Sequence, residues 1–307
     1  MTVKGIRLRL KWALLSAVDL LGLPLNLEGR EGEVQILCFH GVCADTDEFI
    51  NGRFHKESAF RDLLTELKQR FHIISLDDFL ANRLNPDKLN ILLTFDDGYR
   101  NNLTLVLPII EDLGCPITIF VTGRTDLPLW TDLLDLAAAY PSESGTILNE
   151  LLAISGVKTS KELKTWLPLQ PTEVVLEINR KLNELPEQFL DTTRVFWELF
   201  SDNDLRLLQT RPLVSLANHS ANHLSFVTLT EDQMAQEINE VRTRLSNIGS
   251  AYASVFAYPY GHHNEATIAR LNDLGIEQQF LAEWEVKEAP RSWKRLTLNP
   301  FISTRNM

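Results

Sequence analysis

The sequence is poor in cysteine and in long apolar runs, and it has no excess of positive charge. Its three cysteines, Cys38, Cys43 and Cys115, are odd in number and form no CxxC motif, which argues against a disulfide framework and a cysteine zinc site. Reduced thiols are typical of the cytoplasm. The sequence has 30 Lys and Arg against 41 Asp and Glu, which gives a formal net charge of -11. This balance argues against a nucleic-acid-binding protein, which would present a basic face.

The apolar run near the amino terminus, Trp12–Leu23, is too short to span a bilayer and is interrupted by Asp19. The basic residues before it imitate the start of a signal peptide, but no small-x-small cleavage site follows. We therefore expect residues 1–32 to form an amphipathic helical segment that packs on the protein, with contact to a membrane surface as the alternative. The prediction is a cytoplasmic protein, and the alternative places it at the periphery of the inner membrane.

Apolar periodicity predicts alternating strands and helices in the first part of the chain. The predicted strands are Val34–His40, His72–Leu76, Ile91–Phe95 and Ile117–Thr122, and the predicted helices are Ser58–Phe71, Asp77–Arg83 and Leu103–Leu113. Residues 42–56 are polar and are expected to be irregular. Such alternation implies parallel βα units, and the 307 residues are enough for one large α/β domain or two small ones.

The pattern changes from about residue 126 to 212, where apolar residues recur at helical spacing with no clear strand. We predict a mainly helical insertion there. Strands and helices then alternate again, with strands at Val214–His219, Ser254–Tyr258, Ile276–Leu281 and Leu296–Ile302 and helices at Thr230–Leu245 and Asn264–Leu274. The alternation on both sides indicates that one βα scaffold continues across the insertion.

Two adjacent carboxylates, Asp96 and Asp97, follow the apolar strand at Ile91–Phe95 and precede Gly98. By itself, Asp-Asp-Gly is a common turn. However, the carboxyl ends of buried parallel strands are where α/β folds carry their chemistry. Neighbouring residues on a strand point to opposite sides, so we expect one carboxylate to hold a metal ion and the other to accept a proton.

Two histidines, His219 and His223, follow another predicted strand at a spacing of four residues. On a helical turn, side chains at this spacing point the same way and can share one cation. Histidines on the surface are the plainer interpretation. Together with one aspartate, the pair would make a divalent-metal site with positions left open for water and substrate.

Two further strand ends carry residues of interest. Phe256–Gly261 contains Pro259, Tyr260 and Gly261, which either simply end a strand or form an aromatic wall with a backbone N–H that faces an oxyanion. His40 ends the first predicted strand, where it is either a site residue or a polar cap.

Taken in order, TFDDG at 94–98, HSxxHL at 219–224 and PYG at 259–261 resemble the polysaccharide deacetylase family, also called the NodB-homology or carbohydrate esterase 4 group. FHGV at 39–42 resembles the YHRV-type strand of bacterial members, and Leu129–Leu134 resembles a segment of members with a helical insertion. The resemblance covers about residues 33–300. It implies a distorted (β/α) barrel of seven or eight strands, with residues 33–307 as a single domain that carries the insertion.

The resemblance also implies a reaction and a set of site residues. Members remove N-acetyl groups from amino sugars, and O-deacetylation would use the same site. The implied metal ligands are Asp97, His219 and His223, the metal being zinc or else cobalt or another divalent ion. Asp96 is the implied base and the Tyr260 backbone the implied oxyanion contact. The residues expected to contact substrate are His40, Pro259, Tyr260, Gly261 and Trp284.

The sequence departs from the family pattern at three places. Ala257 stands where many members have an arginine, and Glu283 stands where an aspartate precedes the tryptophan. The stretch 298–300 lacks the histidine that acts as general acid, which leaves His40, His262 and His263 as substitutes. These departures keep a second hypothesis open, a catalytically impaired carbohydrate-binding or scaffold protein that retains the deacetylase fold.

Overall fold

The computed structural model describes residues 29–47, 50–123, 128–282, 291–298 and 300. Residues 1–28 of the expected amino-terminal segment lie outside this range, as do Glu283, Trp284 and Asn299. Within the described range, no helix combines the length and the apolar character needed to cross a bilayer.

Most of the predicted elements are present, with small differences at their ends. The strands are β1 Val34–Phe39, β2 Gly41–Cys43, β3 Phe54–Lys56, β4 His72–Ile74, β5 Asn90–Phe95, β6 Ile117–Val121, β7 Val214–Asn218, β8 Tyr252–Ala257, β9 Gln278–Leu281, β10 Ser292–Lys294 and β11 Leu296–Thr297. The α-helices are α1 Glu57–Arg70, α2 Leu76–Leu80, α3 Leu107–Leu113, α4 Trp130–Ala139, α5 Pro141–Ser155, α6 Ser160–Trp166, α7 Thr172–Leu182, α8 Glu187–Thr192, α9 Asp202–Gln209, α10 Glu231–Asn247 and α11 Glu265–Asp273. A π-helical turn, Asn102–Val106, precedes α3.

The main sheet is parallel and almost closes into a barrel. Its strands follow the order β10-β9-β8-β7-β6-β5-β1-β11, and β4 pairs with the first half of β5. Only Arg295 separates β10 from β11, so this stretch joins the two ends of the sheet: Arg295 N donates to Leu281 O at 3.1 Å, and Leu298 N donates to Cys38 O at 3.1 Å. The predicted distorted (β/α) barrel is confirmed.

Two layers of apolar side chains explain why these segments form strands. Inside the barrel, a cluster joins one residue from each of several strands: Ile36, Leu92, Phe120, Ala217, Val255 and Phe280. The alternate residues Leu37, Leu93 and Ile119 face outward and pack with α1 and α3 side chains. Burial on both faces requires near-continuous apolar runs, as β1 and β5 show.

The strand register brings the polar ends of the strands to one level. Phe39 of β1 pairs with Phe95 of β5, and Asp96 N donates to Phe39 O at 2.9 Å. His219 N donates to Val121 O of β6 at 2.9 Å. The residues that follow these strands, His40, Asp96 and His219, therefore meet at the carboxyl end of the barrel.

The described residues between β6 and α9 form helices α4 to α8 and contain no strand, as the helical spacing predicts. Their buried side chains pack into one cluster with residues of the barrel rim such as Phe226 and Tyr258.

The prediction for residues 42–56 is wrong, because this stretch contains β2 and β3. The two strands pair in parallel, beginning with Gly41 opposite Phe54. Strands of three residues are too short to produce a recognisable alternation.

Candidate metal centre and active-site cavity

A left-handed turn at the end of β5 places both aspartates in the site. Asp97 has φ +76° and Gly98 has φ +79°, so the chain reverses its direction instead of continuing as a strand. Asp97 Oδ2 accepts a hydrogen bond from Arg53 Nη1 at 2.9 Å. Its other oxygen, Oδ1, is buried and has no hydrogen-bond partner of good geometry. A buried carboxylate oxygen without a partner is unusual in a folded protein, and a bound cation is one explanation for it.

The two histidines direct their Nε2 atoms at this orphaned oxygen. His223 Nε2 lies 3.1 Å and His219 Nε2 3.4 Å from Asp97 Oδ1. Both histidines belong to a loop, so the predicted helical turn is wrong. Ser220 and His223 have φ of +68° and +54°, outside the right-handed helical region. Left-handed residues other than glycine are rare, so the loop must be held by contacts elsewhere.

Hydrogen bonds at Nδ1 set the tautomer of both rings. His219 Nδ1 lies 2.9 Å from the Ala257 carbonyl oxygen, which can only accept a hydrogen bond, so Nδ1 carries the proton. His223 Nδ1 lies 3.0 Å from the Tyr260 hydroxyl, which donates its own proton to the His223 carbonyl oxygen at 3.0 Å. In the neutral form of each ring, Nε2 therefore presents a lone pair, as in metal-ligating histidines.

These three residues fit a divalent cation. Their ligand atoms all lie within 4.8 Å of one another, and all three side chains are buried. Two neutral imidazoles and one carboxylate are a typical donor set for zinc and related ions. Burial alone would raise the pKa of Asp97, but His223 and His219 in their protonated forms, together with the Arg53 guanidinium, outweigh it and hold the pKa well below its usual range. The carboxylate is therefore ionised, as a metal ligand must be.

Asp96 forms a bidentate ion pair with Arg295 inside the barrel. Arg295 Nη1 donates to Asp96 Oδ1 at 2.6 Å, and Nη2 donates to Oδ2 at 2.7 Å. Burial would raise the pKa of Asp96, but chiefly Arg295, with His219, lowers it to about 2. Asp96 Oδ2 also lies 4.0 Å from His219 Nε2, so an ionised carboxylate stands next to the candidate metal ligands.

Arg53 connects the candidate metal centre to the helical insertion. Besides Asp97, its guanidinium donates to Tyr99 Oη at 2.7 Å and to Asp132 Oδ1 of α4 at 2.5 Å. Tyr99 in turn donates to Asp132, with distances of 3.0 and 2.9 Å to the two oxygens. Trp130, also of α4, donates through Nε1 to Tyr260 Oη at 2.8 Å. The first turn of α4 thus supports the site from two sides.

A cavity of about 320 Å³ opens above these residues. Its lining includes His40, Asp96, His219, His223, Tyr260 and Gly261, together with Arg53, Lys164 and Arg295. Of the expected substrate contacts, Pro259 is buried and is not among the lining residues, and Trp284 lies outside the described residues. A cavity of this size holds a small group, with any larger ligand extending beyond it.

The three histidines considered as a general acid occupy different places. His40 lines the cavity, whereas His262 Nδ1 contacts Ser225 Oγ at 2.9 Å and His263 Nδ1 contacts the Gly261 carbonyl at 2.7 Å. Burial, together with the charge of Arg53, lowers the pKa of His40 to about 4. The free imidazole is therefore neutral at pH 7.

The sequence matches the family described as polysaccharide deacetylase over residues 83–154 and 160–279. The chain belongs to the polysaccharide deacetylase family. It is accordingly a hydrolase of the amino-sugar deacetylase class, and enzymes of this family act on carbohydrates and generally use a divalent metal ion. No curated protein matches it in sequence.

Solved structures of deacetylases share the barrel. The Streptococcus pyogenes deacetylase PplD, in complex with acetate, is 14% identical, with a TM-score of 0.56 over 89% of this chain and 95% of that one. IcaB from Ammonifex degensii is 16% identical, with a TM-score of 0.56 over 87% and 92%. The BpsB deacetylase domain from Bordetella bronchiseptica is 20% identical, with a TM-score of 0.52 over 88% and 98%.

This deacetylase has a guanidinium beside Asp96 although position 257 is alanine. Arg295, in the stretch that closes the barrel, supplies it, and sequence reasoning missed this residue along with Arg53 and Asp132. The only signal for Arg295 in the sequence is its place next to the predicted strand that begins at Leu296. That signal has little value, because charged residues near strand ends are usually exposed.

Proposed function

We propose that this deacetylase removes N-acetyl groups from an amino sugar of a polysaccharide or glycan intermediate, with zinc held by Asp97, His219 and His223. The observation that carries the proposal is the orphaned Asp97 Oδ1, which two imidazole Nε2 atoms face within 3.4 Å. A divalent cation supplies Lewis-acid chemistry at such a site. The other steps belong to the side chains around the cavity.

Asp96 is the proposed base. Arg295 keeps its carboxylate ionised well above pH 2, so at neutral pH Asp96 is ready to take a proton from the attacking water. The low pKa makes Asp96 a weak base, and a divalent cation held by Asp97, His219 and His223 would offset this by making a nearby water more acidic. The same ion pair fixes the direction in which the carboxylate faces.

The proposed oxyanion contact is the backbone N–H of Tyr260. Tyr260 has φ +59° and is followed by Gly261 at φ +69°, an arrangement that keeps the turn at the edge of the cavity. The Tyr260 ring packs edge-on against His223 with centroids 4.6 Å apart, so the turn and the candidate metal ligand are held as one unit. A fixed donor beside the acetyl group would stabilise the charge that develops on its oxygen.

His40 is the proposed donor of the proton to the leaving nitrogen. It lines the same cavity as Asp96, whereas His262 and His263 contact other groups. Because its pKa is about 4, the imidazole starts neutral, takes up a proton only after one has been released from the attacking water, and gives it up readily. Amine and acetate are then the products.

We also propose a cytoplasmic location and an N-acetylated amino sugar as the substrate. The three cysteines are free and buried, as is usual in a reducing compartment. The similar deacetylase PplD is in complex with acetate, the product of deacetylation, which supports the reaction without indicating a particular sugar.

The test is acetate release from N-acetylglucosamine oligomers by the purified protein, before and after treatment with a chelator and after zinc is added back. We expect activity that the chelator removes and zinc restores, and no metal by elemental analysis in Asp97→Ala. The matched control is Asp87→Ala, an exposed aspartate, which should keep its metal. Unchanged metal content in Asp97→Ala would refute the ligand assignment, and sugar binding without acetate release would favour the impaired carbohydrate-binding protein.

A further inference from the structure

A buried glutamate, Glu237, lies beneath the loop that carries the two histidines. It belongs to α10, on the same face as the apolar residues Met234, Ile238 and Val241, and it is 4% exposed. A carboxylate at a core position is costly unless hydrogen-bond donors reach both of its oxygens. The donors to Glu237 therefore indicate why the side chain is there.

Among the described residues, the donors to Glu237 all come from the histidine loop. Glu237 Oε2 accepts from Ser220 Oγ at 2.9 Å and from the Asn222 backbone N–H at 2.8 Å. Glu237 Oε1 accepts from Asn222 Nδ2 at 2.8 Å. One carboxylate thus holds two of the three residues between His219 and His223.

The same network reaches the candidate metal ligand. Ser220 Oγ donates its proton to Glu237 and accepts the His223 backbone N–H at 3.1 Å. Ser220 and His223 are the two residues of the loop with positive φ, a conformation that costs free energy in residues other than glycine. The loop is also tied to α10 through Asn218, which accepts from Ser220 N at 2.9 Å and donates to Ile238 O at 3.0 Å.

We propose that Glu237 is a positioning residue for the candidate metal centre. Its three hydrogen bonds hold the left-handed loop so that both Nε2 atoms face Asp97 before any metal binds, which reduces the ordering that metal binding must otherwise impose. The proposal rests on the proposed function, because it takes Asp97, His219 and His223 as the ligands. Groups that orient ligands in this way commonly change metal affinity when they are altered.

The test measures zinc affinity of the metal-free protein by competition with a chromophoric chelator. We expect Glu237→Ala to weaken zinc binding by roughly 10- to 100-fold. Glu240→Ala, an exposed glutamate on the same helix, is the matched control and should leave the affinity unchanged. If Glu237→Ala lowers the free energy of unfolding but binds zinc as the wild type does, Glu237 only stabilises the fold and the proposal is wrong.

A second pair of variants tests the hydrogen bonds without emptying the position. Asn222→Asp sets one carboxylate against another, so we expect it to weaken zinc binding like Glu237→Ala. In Glu237→Gln with Asn222→Asp, the Gln amide can donate to the new carboxylate, which restores the pairing, and the affinity should return most of the way to wild type. Equal affinities in the single and double variants would overturn the proposal, even if Glu237→Ala fails to fold.

Hydrogen exchange of the metal-free protein separates this proposal from the proposed function. We expect the amides of residues 220–223 to exchange faster in Glu237→Ala than in the wild type, and not in Glu240→Ala. Wild-type protein that binds no zinc would refute the metal centre, whereas faster exchange would still show that Glu237 holds the loop. Unchanged exchange together with unchanged zinc affinity would refute the positioning role alone.

Discussion

Arg295 and Asp96 are 199 residues apart in sequence and form a bidentate ion pair inside the barrel, with N–O distances of 2.6 and 2.7 Å. Both side chains are almost fully buried. The arginine belongs to the stretch that joins the two ends of the sheet, so the element that closes the barrel also orients the proposed base.

Replacing Arg295 with methionine would leave a buried, unpaired carboxylate. We expect the free energy of unfolding, measured by urea denaturation, to fall by about 3–5 kcal/mol at pH 7, because removing one partner of a buried pair strands the other charge. The matched control is Arg61→Met, which breaks an exposed Arg–Asp pair with a distance of 2.5 Å and should cost at most about 1 kcal/mol. Equal losses in the two variants would contradict the prediction.

The cost of Arg295→Met should also depend on pH. In the wild type, the pKa of Asp96 is about 2, below the roughly 3.9 of an unfolded aspartate, so its contribution to stability is present above about pH 4 and is lost as the pH falls toward 2. Without Arg295, burial raises the pKa of folded Asp96 above the unfolded value. The variant then loses stability as the pH rises from the unfolded pKa through the folded one. The difference between wild type and variant should therefore be larger at pH 7 than at pH 3. Equal differences would mean that the pair is not ionised.

His40→Gln should lower kcat by about 10²–10⁴-fold, the usual contribution of a general acid, while metal content stays the same. His72→Gln, which changes an exposed histidine on β4, is the control and should keep full activity. Steady-state acetate release and elemental analysis together make the measurement. If His262→Gln or His263→Gln loses activity and His40→Gln does not, the proton donor has been misassigned.

Gly261→Ala should disturb the turn at the cavity edge. Gly261 has φ +69°, and a Cβ there would lie 2.2 Å from Ala282 Cβ. Strain and overlap together should lower the free energy of unfolding by at least about 2 kcal/mol and reduce kcat. Adding Ala282→Gly removes the overlap but not the strain, so it should restore part of the loss. The control is Gly145→Ala within α5, where nothing lies within 4 Å, which should stabilise the protein by about 0.5–1 kcal/mol.

Trp130→Phe tests whether the insertion supports the metal centre. The change removes the indole N–H that donates to Tyr260 Oη at 2.8 Å, and this hydroxyl also contacts His223 Nδ1. We expect zinc affinity to fall by about 10-fold, at the low end of the effects seen for groups that orient ligands. Trp197→Phe removes a similar bond, to Leu190 O at 3.1 Å, and should lose comparable stability, about 1 kcal/mol, with no change in zinc affinity. Similar zinc affinities in the two variants would show that α4 does not support the centre.

The order of the elements, and the places where polar residues interrupt them, can be predicted from the amino-acid sequence. Apolar runs buried on both faces mark strands such as β5, and the spacing of apolar residues marks helices such as α10. The carboxyl ends of parallel strands meet at one edge, so Asp96, Asp97 and His219 could be expected near one another from strand positions alone. The same alternation indicates parallel βα units, because each helix returns the chain to start another parallel strand, whereas closure into a barrel was implied by the resemblance to the deacetylase family.

Which groups pair at that edge depends on contacts that exist in the folded chain alone. The partner of Asp96 depends on how the last strands close the barrel, and nothing near residue 295 in sequence marks it as buried. The histidines point at Asp97 because left-handed residues turn their loop and Glu237 holds it, not because their spacing fits a helix. Side-chain direction at the end of a strand depends on such turns and on contacts with distant elements, and these exist only once the chain has folded.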